Sequence, residues 1–168
     1  MAFLGCCENS MDAKGRVSLP AKYRKSLTSD GSDSKLDPDF MLVITLSYDN
    51  EVRVYTEEEY AKYLASLFAN EVNGEQRFDS TDPDERRMNL KIREFTSMSP
   101  IDTAGRITIP ENIRKEAGLG KKVSVEGAGE YLAIWDPARK AAFLDGEDVG
   151  GFLNKLVAKR LERIGAAS

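Results

Sequence analysis

Apolar residues along the chain alternate in short stretches and then shift to a helical period, twice over. Val17 and Leu19 alternate with Arg16 and Ser18, as Ile107 and Ile109 do with Arg106 and Thr108, which predicts strands with one buried and one exposed face. Pro20 and Pro110 then suit the first position of a short helix, which in the second case ends at Gly118, a left-handed cap. Phe40 to Leu46 should pair with Val52 to Tyr55 across Ser47 to Glu51, and Val123 to Glu126 with Tyr131 to Trp135 across Gly127 to Glu130. Thr56 and Glu59 form a capping box ahead of a stripe of Tyr60, Tyr63, Leu64, Leu67 and Phe68. A further helix is predicted from Asp82-Pro83, with Glu85 completing its cap, through Met88, Ile92 and Phe95. Asp136-Pro137 opens a matching helix, and Val149, Phe152, Leu153, Leu156, Val157, Leu161 and Ile164 mark an amphipathic tail.

These elements form an internal duplication in an α+β chain. The segment Asp12-Ala13-Lys14-Gly15-Arg16 returns as Asp102-Thr103-Ala104-Gly105-Arg106, 90 positions later, and Arg24-Lys25 returns as Arg114-Lys115. At Val43 to Tyr55 against Val123 to Trp135 the offset falls to 80, so the first copy carries ten extra residues, assigned to the polar stretch between Ser26 and Phe40. The expected organisation is a first repeat with its helix over 1–80, a linker helix and second repeat over 81–145, and a tail over 146–168.

Composition narrows the chemistry. The 168 residues contain no histidine, which removes the commonest general base and every Ser-His or Cys-His nucleophile pair, so no enzyme is expected. Cys6 and Cys7 are adjacent and cannot form an ordinary disulfide with each other; two cysteines without histidine argue against zinc, and no cofactor or small-molecule substrate is expected. The start, Met1 to Glu8, lacks a basic, apolar leader and no stretch is long enough to span a bilayer, so a cytoplasmic location without a membrane partner is expected. The net charge of −4 runs against nucleic-acid binding, but local field matters more than the total. From Asp12 to Lys25 there are five bases, Lys14, Arg16, Lys22, Arg24 and Lys25, against one acid.

In each Asp-x-x-Gly-Arg segment, Asp12 or Asp102 can accept hydrogen bonds from the following amides, while Gly15 or Gly105 takes a positive φ. Arg16, with Lys14 beside it, is the leading candidate for a DNA contact, since a guanidinium at a turn can grip a phosphate or a guanine edge. The competing reading is an arginine that only braces its turn through the aspartate. Arg106 is the secondary candidate, because Ala104 stands where the first copy has Lys14. Lys22, Arg24 and Lys25 could reach phosphates from the short helix or form a solvated basic face.

The paired segments, each running into an apolar alternation and a proline, closely resemble the MraZ family, whose fold is related to the AbrB and MazE DNA-binding proteins. The resemblance implies a mainly β-barrel core made of two pseudo-symmetric AbrB-like half-barrels with flanking helices. It further implies a ring-shaped homo-oligomer, nucleoid-associated, that binds short G-rich direct repeats in double-stranded DNA. Those repeats would lie upstream of the division and cell-wall gene cluster, including the protein's own promoter. The alternative is a MazE-type antitoxin that binds DNA and a toxin partner. Gly118-Leu119-Gly120-Lys121 is no phosphate loop, since a helix precedes it and Lys122 follows.

Overall fold

The structure, a computed structural model, describes residues 3–27, 37, 39–47, 49–68, 71–72, 75–76, 79–145, 158–162 and 165. The backbone divides into two units, Met1–Asp136 and Pro137–Ser168. The first opens with β1 (Phe3–Ser10), β2 (Arg16–Ser18), α1 (Ala21–Ser26), β3 (Met41–Leu46), β4 (Val52–Thr56) and α2 (Glu57–Phe68). A small ribbon of β5 (Glu71–Val72) and β6 (Glu75–Gln76) and the helix α3 (Pro83–Glu94) follow. The pattern then repeats as β7 (Thr96–Pro100), β8 (Arg106–Thr108), α4 (Glu111–Ala117), β9 (Lys122–Gly129) and β10 (Leu132–Trp135). The second unit contains α5 (Pro137–Leu144) and a helical turn at 158–162; of the predicted tail stripe, only Leu161 is among the described residues, and it is exposed.

Six strands make one antiparallel sheet in the order β1, β9, β10, β4, β3, β7. Under the duplication this order reads the same from either end, because β1 pairs with the second copy's hairpin and β7 with the first copy's. Asn9 opposes Val123 and Ser99 opposes Leu42, so β3 and β9 correspond at an offset of 81 (123 − 42). Arg53 opposes Ala133 at the centre, which keeps β4 and β10 at 80 (133 − 53). The ten extra residues are therefore not all in one loop. Nine lie between α1 and β3, and one lengthens the first hairpin turn, where Leu46 pairs with Val52 but Gly127 pairs with Leu132. Asn50 in that turn absorbs the insertion at φ 61°, a left-handed conformation that asparagine tolerates better than most residues.

The expected barrel is not closed. β1 and β7 remain as edges, and β2 and β8, which could have bridged them, form a separate two-stranded ribbon. Each Asp-x-x-Gly-Arg turn folds its strand back toward the one before it, but β2 and β8 are three residues long and pair with each other, which leaves only the isolated Met11–Val17 bridge at the first of these corners. The buried side of the ribbon, Val17 and Ile107 with Leu19 and Ile109 just beyond, closes over Leu42, Ile44, Val52, Val54, Val123, Val125, Leu132 and Ile134. Tyr23 from α1 and Ile113 and Ala117 from α4 complete this core. Each large side chain buried there contributes roughly 1.5–3 kcal/mol.

The opposite face of β4 carries a charge that alternation alone would have sent to solvent. Arg53 is buried, donates from Nε to Glu51 Oε1 at 2.6 Å and lies 4.4 Å from the Tyr131 ring centroid. Tyr55 packs against Tyr60, Tyr63 and Tyr131 beside it. Burial raises the Glu51 carboxyl above its ordinary value despite the adjacent guanidinium, and burial likewise pushes the Tyr55 phenol up to about 12.

Local signals fare unevenly. Gly118 caps α4 at φ 64°, ψ 30°, as predicted. Pro20 and Pro110 precede their helices as N-caps instead of occupying the first helical position, with ψ of 144° and 151°. The proline ring fixes only φ, and the extended ψ of a cap still lets the Pro20 carbonyl accept from Tyr23 and Arg24. Thr56 accepts the Glu59 amide at 3.2 Å, but the Glu59 carboxylate turns to Lys62. Asp82 caps α3 by accepting from the Asp84 amide at 2.8 Å, while the Glu85 carboxylate is taken by the Asp79 amide instead of closing the box.

Candidate nucleic-acid interface

Both turns are built by the aspartate. Asp12 Oδ1 accepts the Lys14 and Arg16 amides at 3.0 and 2.9 Å, and Asp102 Oδ1 accepts those of Ala104 and Arg106, each at 2.9 Å. The other carboxylate oxygen receives the arginine Nε, at 2.6 Å from Arg16 and 2.8 Å from Arg106. Gly15 and Gly105 follow at φ 82° and 77°. The Arg16 amide foremost, with the rest of that donor set, holds the Asp12 carboxyl below its ordinary value. At Asp102 desolvation pulls the other way and is outweighed by the hydrogen bonds from Arg106, so that carboxyl is lowered too.

The turns are stitched to each other across the duplication. The Ile109 amide donates to the Gly15 carbonyl at 2.8 Å, and the Leu19 amide to the Gly105 carbonyl at 2.9 Å. Arg16 pairs with Thr108 and Ser18 with Arg106, so both arginines stand on the same outward face of the ribbon, diagonal to one another. About a third of each arginine side chain is exposed. The bracing role weighed for Arg16 is therefore real, and it occurs twice. It also occupies only Nε, and a guanidinium anchored there keeps its terminal nitrogens for a second acceptor.

Lys14 is exposed at the tip of the first turn, and Ala104 is exposed at the tip of the second. Arg24 does not serve its own turn. Its guanidinium lies over Gly105, 2.6 Å from where a Cβ would be, and also donates to the Leu19 carbonyl. Arg114 lies over Gly15 in the same way, so each copy's helix supplies a cation to the other copy's turn. Arg114 was not among the sequence candidates, although it stands 90 positions after Arg24 and the duplication marks it. Lys22 is diverted: its ammonium lies 4.8 Å from the Tyr23 ring centroid and against Gly5 of β1. Lys25 is exposed on α1. Beside the first turn an open groove of about 840 Å³ is lined by Asp12, Ala13, Arg114, Lys115 and the 118–121 loop with Lys121, where Lys115 pairs with Glu111 at 3.0 Å.

Among the described residues no group of histidine, cysteine, aspartate or glutamate could hold a metal ion, and no helix is long and apolar enough to cross a membrane.

The sequence is similar to those of known proteins. Residues 2–89 and 96–146 match the family described as the antitoxin-like MraZ protein. The transcriptional regulator MraZ of Corynebacterium diphtheriae is 30% identical over 161 residues, covering 90% of this chain and 99% of its own. That of Arthrobacter sp. strain FB24 is 32% identical over 137 residues, covering 80% of this chain and 81% of its own, and that of Acetivibrio thermocellus is 27% identical over 163 residues, covering 97% and 99%. Matching over most of its length, the chain belongs to the MraZ family.

Proposed function

We propose that the protein is a transcription regulator that binds promoter DNA through the outward face of the β2–β8 ribbon. One observation carries this reading: two arginines, each oriented by its own aspartate, share that face. Diagonal neighbours on such a ribbon are roughly 7–8 Å apart, close to two steps of a DNA strand at about 3.4 Å each. A two-stranded ribbon fits the major groove, where arginine reads the O6 and N7 acceptors of guanine. The relatives are named transcriptional regulators, which supports the same reading. An aspartate-anchored side chain has lost much of its conformational freedom before binding, so less is lost on contact.

A single ribbon offers few phosphate contacts and competes poorly with salt. A ring-shaped homo-oligomer on short direct repeats would make each later contact intramolecular and raise avidity. The repeats upstream of the division and cell-wall gene cluster, including the protein's own promoter, are the proposed target, and a cytoplasmic, nucleoid-associated location follows. No cofactor enters this scheme. A MazE-type antitoxin would share the turns, and the family description mentions antitoxin likeness. Two motifs in one chain favour the regulator, and co-purification of a small nuclease would favour the antitoxin. Footprinting on DNA upstream of the protein's own gene, across a salt series, should reveal protected repeats that Arg16→Ala leaves unprotected while the oligomer persists. Undiminished affinity of that variant would remove Arg16 from the interface.

A further inference from the structure

We propose that the cleft between α2, α3 and the first hairpin turn is a binding site for a small apolar carboxylate, of the class of a medium-chain fatty acid. Its volume is about 400 Å³, and its apolar walls are Leu46 of β3, Tyr63 and Leu67 of α2, and Ile92 and Phe95 of α3. Met88, 42% exposed, forms part of its lip. That size falls within the range of small-molecule pockets, roughly 300–1,000 Å³. Two donors on the cleft have no acceptor in the protein. Ser47 is 4% exposed, and its Oγ accepts the Asp49 and Glu51 amides at 3.2 and 3.3 Å. A hydroxyl also carries one hydrogen to donate, and among the described residues nothing accepts that of Ser47. A buried donor left unpaired is costly, which favours an occupant that brings an acceptor. Lys91, exposed on the rim, forms no ion pair among the described residues, whereas Glu116 on the same rim already has a partner. A carboxylate offers acceptors to both donors, and a hydrocarbon tail suits the walls. The cleft belongs to the first copy, because Asn50 in its wall stands in the hairpin turn that the first copy alone lengthens.

The test uses the full-length protein with labelled leucine, isoleucine and methionine methyl groups, followed by NMR as octanoate, decanoate or decanol is added below its micelle concentration. Decanoate should saturably shift the methyl signals of Leu67, Met88 and Ile92, with one molecule bound per chain. It should bind about fifteenfold more tightly than octanoate, which is about fourfold for each buried methylene. Lys91→Gln, at an exposed position of α3, should weaken decanoate about two- to fivefold, the range of an exposed ion pair, and leave decanol unchanged. Saturable shifts confined to other methyl groups, an affinity independent of tail length, or a loss in Lys91→Gln no larger for decanoate than for decanol would overturn the proposal. So would contacts from a neighbouring subunit to Leu67 and Ile92 in a mixed-label sample, since a second copy would then be the occupant. None of these readouts involves DNA, so the site stands or falls separately from the DNA-binding function.

Discussion

The two Asp-x-x-Gly-Arg turns match in geometry and differ in support. Their Nε to Oδ2 distances are 2.6 and 2.8 Å, their glycine φ angles 82° and 77°, and their arginines equally exposed. Around this common frame the chemistry diverges. A Cβ at Gly15 would overlap both the Arg114 guanidinium and the Ile109 carbonyl, whereas at Gly105 the nearest atoms all belong to the Arg24 side chain. The centre of the sheet shows the same contrast, with Arg53 of the first copy facing Ala133 of the second. Backbone geometry is held alike in both copies because the turn demands it, while cations outside the turn are free to differ and so can give the halves unequal roles.

The strongest way to break the comparison is at Arg53. Arg53→Ala strands the buried Glu51 carboxylate without its partner and should cost roughly 3–5 kcal/mol of stability, read from urea denaturation. Replacing both, as Arg53→Leu/Glu51→Leu, should recover most of that loss; no recovery would mean that the tyrosine contacts and not the ion pair hold the region. At the turns, alanine in a left-handed conformation costs about 1–2 kcal/mol. Gly105→Ala should stay within that cost because Arg24 can swing aside. Gly15→Ala should exceed it, since the Ile109 carbonyl is backbone of a residue whose own amide is held by the Gly15 carbonyl and cannot swing aside.

On DNA, Arg16→Ala should weaken binding to a single box by about 1–3 kcal/mol, and Arg106→Ala by less, as measured by titration at fixed salt. Equal losses would erase the functional distinction between the turns. The smallest effect is acid sensitivity. Both aspartate carboxyls sit below their ordinary value of 3.8, so their stabilisation is present above that pH and disappears as the pH falls through the lower folded value. Asp12→Asn and Asp102→Asn should each flatten the acid limb of a stability–pH curve by a similar amount.

Local chemistry was legible in the sequence and long-range pairing was not. The turns, the Gly118 cap, the Thr56 cap and the half-buried tyrosine and leucine stripe of α2 all follow from residues within a few positions of one another. The second hairpin turn came one residue early, because the pairing of Gly127 with Leu132 is settled by β1 lying alongside β9. No apolar alternation marks β1, in which Phe3 alone is buried, and nothing local says which strand lies beside it, so the exchange of hairpins between copies and the unclosed barrel emerged only in three dimensions. Burial of Arg53 is hidden from the sequence for a related reason: alternation across Val52, Arg53 and Val54 would put the charge on an exposed face, yet tyrosines from α2 and from the β9–β10 turn cover it. The position of the Lys22 ammonium, over the Tyr23 ring and beside Gly5 of β1, likewise depends on a strand that the local sequence does not place there.

The interleaving of the sheet has a consequence for how the chain comes to be made and divided. Phe3–Ser10 finds its neighbour only when Lys122–Gly129 has been synthesised, so the amino-terminal repeat must leave the ribosome with an unsatisfied edge and wait. A gene cut between the repeats would yield two polypeptides that are each incomplete alone and become whole on mixing, each lending the other its outermost strand.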